Sequence, residues 1–85
     1  MQQFSHKIMD ELGIHSRPAG QLVKKASCYK SRIMITNGIQ VVDAKSIIGV
    51  MSMGAKKGQK VTFTLEGPDE EIAADDLKEF MCQNL

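Results

Sequence analysis

The chain has 85 residues, 42% of them hydrophobic, and a formal net charge of +1. That length supports one small domain with one core, spanning 1–85, and the dispersed charges form neither a polybasic arm nor an acidic tail. No apolar run approaches the roughly 20 residues of a membrane span. Met1-Gln2-Gln3-Phe4-Ser5-His6 lacks the charged and apolar regions of a secretory signal, so a cytoplasmic location is expected.

From Phe4 to Ile8, the residues Phe4, His6 and Ile8 alternate with Ser5 and Lys7, the pattern of a half-buried strand. Gly13 then ends an extended segment, and Gly13-Ile14-His15-Ser16-Arg17-Pro18-Ala19 follows. Proline is tolerated only in the first turn of a helix, so Pro18 places the helix start at His15 or Ser16. Free N–H groups at that end, including those of Ser16 and Arg17, favour anions, and the Arg17 guanidinium adds a forked donor suited to phosphate oxygens. Two readings of His15 stand. One is an ordinary residue before a helix; the other is a nucleophilic nitrogen in an anion cradle, as a phosphohistidine requires.

The helix itself is predicted over Pro18 to Tyr29, with Ala19, Leu22, Val23 and Ala26 on its apolar face. Gly20 inside it costs ~1 kcal/mol relative to alanine. Arg32-Ile33-Met34-Ile35-Thr36 and Ile39-Gln40-Val41-Val42 read as two strands joined by an Asn37-Gly38 hairpin turn. Ser46 is a good N-cap for a second helix, on which Ile47, Val50, Met51 and Gly54 fall at helical spacing while Ile48 lies off the stripe. Such a helix is either unusually buried or carries an exposed apolar patch for a partner. Lys56, Lys57 and Lys60 around Gly58 read as a solvated loop. Val61, Phe63 and Leu65 alternate through a last strand, and Gly67-Pro68-Asp69 turns into a final helix with Asp69 as its cap. That helix carries Ala73, Leu77, Phe80 and Met81 at helical spacing.

The order β-α-β-β-α-β-α predicts an α+β open-faced β-sandwich: a four-stranded antiparallel sheet with three helices on one face. Ser5, Lys7, Thr62 and Thr64 would face water on the other. Cys28 and Cys82 form no C-x-x-C pair, so no zinc site is expected. They leave a disulfide and a pair of reduced thiols open, the second being the ordinary state in a cytoplasmic protein. No metal or cofactor is expected.

Gly13-Ile14-His15-Ser16-Arg17-Pro18-Ala19 and Ala44-Lys45-Ser46-Ile47-Ile48-Gly49-Val50-Met51-Ser52 together resemble the two signature motifs of HPr. This is the histidine-containing phosphocarrier family of the bacterial phosphoenolpyruvate-dependent sugar phosphotransferase system. The resemblance covers essentially the whole chain. It implies that His15 takes a phosphoryl group on Nδ1 from enzyme I and passes it to sugar-specific enzyme IIA domains, with Arg17 and the Ser16 backbone N–H stabilising it. The chain would then be a stoichiometric carrier and not an enzyme. The resemblance further implies that Ser46 is phosphorylated by an HPr kinase/phosphorylase, with a catabolite-control transcription factor as a further partner. Ile47, Ile48, Met51 and Gly20 would form the docking surface of a monomer. Spacing alone favours a plain cap at Ser46, and it is the motif match that reverses this.

Three positions depart from the family pattern. Ser16 stands where alanine or threonine is usual, Gly20 replaces a larger residue, and His6 takes a usually apolar strand position. His6 reads as a partly buried structural imidazole. The alternative within the family is a regulatory paralogue, in catabolite repression or in a nitrogen-related phosphorelay. Outside it stands a small nucleic-acid-binding module. Only Phe4, Tyr29, Phe63 and Phe80 are aromatic, without the basic interleaving of a stacking sheet, so direct nucleic-acid contact is not expected.

Overall fold

Alternation along the strands builds the sheet. In a computed structural model describing residues 1–85, β1 (Gln2–Lys7), β2 (Arg32–Thr36), β3 (Val41–Asp43) and β4 (Lys60–Glu66) form one sheet in the order β1-β4-β2-β3. Every neighbouring pair is antiparallel. The register sets Phe4 opposite Phe63, whose rings stack with centroids 4.7 Å apart, and Ile33 opposite Leu65. Phe4, Ile33, Ile35, Val61, Phe63 and Leu65 are buried on one face. On the other, the Ser5 and Thr62 hydroxyls bond across the strands at 2.8 Å. This is the predicted open-faced sandwich.

Three helices cover the apolar face: α1 (Ser16–Ala26), α2 (Ile47–Ser52) and α3 (Glu70–Asn84). α1 contributes Ala19, Leu22 and Ala26 to the core, α2 contributes Val50, and α3 contributes Ala73, Ala74, Leu77 and Met81. No helix is long and apolar enough to cross a membrane. His6 lies on the core-facing side of β1, partly buried as expected, with its Nε2 buried and without a hydrogen-bond partner. Cys28 and Cys82 are both free thiols on the surface.

Three local expectations are corrected. α1 ends at Ala26 instead of running to Tyr29; the Tyr29 hydroxyl reaches across to the Asp76 carboxylate of α3. Burial first, and that bond second, push the Tyr29 phenol above its ordinary range.

The hairpin after β2 is longer than its Asn-Gly dipeptide suggests. Thr36 pairs with Val41, so the four residues Asn37 to Gln40 form the connection and β3 starts at Val41, not Ile39. Asn37 causes this: its Oδ1 accepts from the backbone N–H groups of Ile39 and Gln40, at 2.9 and 2.8 Å. Those donors are thereby withdrawn from strand pairing.

Asp69 stands at the N-cap position of α3, yet its side chain makes no cap bond. Its carboxylate accepts instead from the Ser31 hydroxyl and backbone N–H and from the Lys30 N–H. These bonds, the Ser31 hydroxyl foremost, hold the Asp69 carboxyl below its ordinary value. Ser31 is the buried polar residue of the core, and leaving its groups unpaired costs more than leaving a helix end to water.

Candidate functional site

The loop between β1 and α1 is shaped by Gly13. Its φ of +68° suits glycine, and an added Cβ would lie 2.2 Å from the Ala55 carbonyl oxygen. The close approach lets the Ile14 N–H donate to that same oxygen at 2.9 Å, while the Ile14 side chain is buried in the core. His15 follows in extended backbone as the N-cap residue, and its carbonyl accepts the first helical bond from Ala19 N–H at 2.9 Å. Pro18 sits in the first turn, where its missing N–H removes no helical bond. The predicted start of the helix is therefore correct.

The His15 side chain makes no cap bond, so the helix N–H groups are not taken up by its ring. The Ser16 and Arg17 N–H groups have no acceptor within the chain, and the exposed Arg17 guanidinium forms no ion pair. The imidazole is half-exposed, and its Nε2 lies 3.3 Å from Asp10 Oδ2. Asp10, His15, Arg17, Pro18, Gln21 and Asn84 line an open depression of about 260 Å³. An anionic group at His15 thus meets unpaired backbone donors, the positive end of an 11-residue helix and the exposed, unpaired Arg17 cation.

Ser46 lies outside that depression. Its Oγ accepts from the Gly49 N–H at 3.1 Å, the bond an N-cap serine is expected to make. Of the two readings of α2, the exposed one is correct: only Val50 enters the core, while Ile47, Ile48 and Met51 are exposed, Ile48 at 80%. α2 packs against α1, so this apolar surface and the His15 end belong to neighbouring helices. On α1, a Cβ at Gly20 would meet nothing within 4 Å.

The residue that sequence reasoning missed is Asp10. Its one signal is an acidic side chain at the start of the turn that Gly13 closes, five positions before the imidazole.

The chain is similar to several known proteins. A family model described as "PTS HPr component phosphorylation site" matches residues 2–83. The phosphocarrier protein HPr of Lysinibacillus sphaericus is 40% identical over 82 residues, covering 96% of this chain and 91% of that protein. Among solved structures, the histidine-containing phosphocarrier protein of a mycoplasma superposes with a TM-score of 0.93 at 36% identity, covering 96% of this chain and 93% of that one. Crh, the Bacillus subtilis catabolite repression containing protein, superposes with a TM-score of 0.78 at 29% identity, over 100% of this chain and 98% of that one.

Proposed function

Because the chain belongs to the HPr phosphocarrier family of the phosphotransferase system, we propose that His15 accepts a phosphoryl group from enzyme I and passes it to enzyme IIA domains. The observation that carries this reading is the half-exposed imidazole at a helix end whose Ser16 and Arg17 N–H groups are unpaired. Phosphoryl transfer needs in-line access and charge stabilisation more than covalent work by the protein. Nδ1 forms the bond to phosphorus as the donor's bond breaks, and the two backbone donors and Arg17 receive the phosphoryl oxygens. The chain acts as one cytoplasmic, monomeric carrier domain, stoichiometric and not catalytic in its own right. Incubation with labelled phosphoenolpyruvate and enzyme I is expected to give acid-labile, base-stable label that chases onto an enzyme IIA domain. A protein that takes up no label would overturn the reading.

Arg17 is a clamp that must also release its cargo. Arg17→Ala is expected to slow transfer in both directions by about tenfold, because one charged donor is lost while the helix donors remain. Rapid-quench transfer rates equal to the parent's would leave Arg17 as a solvated surface charge.

Ser46 is the regulatory site in this reading, phosphorylated by an HPr kinase, and Ile47, Ile48, Met51 and Gly20 form the docking surface. Ser46→Asp retains an acceptor for the Gly49 N–H, so local stability is preserved. The charge it adds at the edge of the apolar patch is expected to weaken enzyme I binding about fivefold. Ser46→Ala does the reverse, losing a cap worth about 0.5–2 kcal/mol while keeping enzyme I affinity. Calorimetry on both variants separates capping from charge, and parental affinity in Ser46→Asp would leave Ser46 a plain cap.

The likeness to Crh supports a second reading, a regulatory paralogue in catabolite repression that acts with a transcription factor through Ser46. His15 in its anion cradle favours the carrier, since a regulator working through Ser46 alone has no use for it.

A further inference from the structure

We propose that Asp10 is a positioning residue for His15, fixing which ring nitrogen is free to attack phosphorus; the inference rests on the carrier reading above. Neutral imidazole has one N–H, and an ionised carboxylate only accepts hydrogen bonds. Asp10 Oδ2 lies 3.3 Å from His15 Nε2, and the carboxylate's negative charge at that distance favours the tautomer that carries the proton on Nε2. Nδ1, which has no hydrogen-bond partner within the chain, is left with its lone pair.

The carboxylate is delivered by a fixed piece of backbone. The Asp10 N–H donates to the Leu85 carbonyl oxygen at 3.1 Å, and the Asp10 carbonyl accepts from the Gly13 N–H at 3.0 Å. One bond ties the residue to the end of α3, the other to the turn that sets His15. The adjacent acid is drawn elsewhere: Glu11 pairs with Lys57 Nζ at 2.6 Å. Arg17 shares the depression with Asp10 but forms no ion pair with it, so the imidazole is the side chain that stands within ion-pair distance of the Asp10 carboxylate.

The pairing serves the chemistry in both directions. When Nδ1 bonds phosphorus, the ring keeps its Nε2 proton and becomes cationic, and the carboxylate offsets that charge. When the N–P bond breaks towards an acceptor, the electron pair returns to Nδ1 and the ring is neutral again. No proton has to enter or leave the site in either step.

The test uses the full chain labelled with nitrogen-15 at histidine, in mildly alkaline buffer, without any phosphoryl donor. The parent is expected to show His15 as one tautomer, with a pyrrole-type Nε2 and a pyridine-type Nδ1. In Asp10→Ala both resonances move towards the averaged values of free imidazole, and acceptance from enzyme I slows about three- to fivefold, the scale of one exposed charged contact. Glu11→Ala leaves both readouts at parental values. Unchanged resonances in Asp10→Ala overturn the pairing, and moved resonances with an unchanged rate overturn its part in the reaction. Equal effects from Glu11→Ala overturn the assignment to Asp10 in favour of general charge. Failure of the carrier reading is distinct, since the parent would then take up no phosphoryl group while its nitrogen resonances still reported the tautomer.

Discussion

His15→Ala is expected to take up no phosphoryl group from phosphoenolpyruvate and enzyme I, a loss of at least about 10³-fold, while its unfolding free energy stays within about 0.5 kcal/mol of the parent's. The two halves of this expectation have separate causes. What His15 gives the fold is backbone: its N–H donates to the Gly13 carbonyl and its carbonyl accepts from Ala19 N–H. Its φ of −98° and ψ of −174° are open to alanine. Its side chain makes no cap bond, so the helix start loses nothing with it. What it gives the proposed chemistry is the nitrogen, for which the neighbouring donors cannot substitute. The chain's other histidine, His6, has its Nε2 buried without a hydrogen-bond partner and is not expected to take up label in its place. Acid-labile, base-stable label on His15→Ala would remove the assignment.

Gly13→Ala is expected to destabilise the protein by about 2–5 kcal/mol and to impair phosphoryl acceptance with it. Left-handed backbone at φ +68° already disfavours an L side chain, and the new Cβ would lie 2.2 Å from the Ala55 oxygen and 2.8 Å from Lys56 Cα. Both obstacles are main chain and do not rotate aside. Relief requires the loop to lift, which breaks the Ile14 N–H bond to Ala55 and withdraws Ile14 from the core. Gly20→Ala is the internal contrast, because a Cβ there meets open space and removes a helix-interior glycine. Urea denaturation of the pair reads the difference directly. Parental stability in Gly13→Ala would show that the loop is not pinned as described.

The parts of the fold legible in the sequence are those whose signal and structure are both local. The alternation of Val61, Phe63 and Leu65, the stripe from Ala19 to Ala26 and the position of Pro18 each state their element without reference to a distant residue. The strand order β1-β4-β2-β3 is compatible with that pattern, but the register that stacks Phe4 on Phe63 is set by residues 59 apart in the chain. Asp69 illustrates the limit. Its sequence neighbours ask for a cap, and a buried serine 38 positions away takes its carboxylate instead. Asn37 departs for the opposite reason, since its own amide oxygen outcompetes the strand for nearby N–H groups. At the candidate site, His15, Arg17 and Ser46 stand out by residue type and spacing. Asp10 does not, because an acid in a polar turn is unremarkable until the chain end of α3 and the Gly13 turn bring it to the imidazole.

The single bond from Ile14 N–H to the Ala55 carbonyl has a mechanical consequence. Ala55 lies just beyond α2, so the segment carrying the imidazole is latched to the segment carrying Ile47, Ile48 and Met51. A protein that grips the apolar helix therefore receives the nitrogen at a preset offset, as a plug receives its second pin once the first is seated. In the proposed relay, enzyme I and enzyme IIA domains need not search for the imidazole after docking. The tolerance of that offset is set by this bond, the buried Ile14 and the packing of α1 on α2 together.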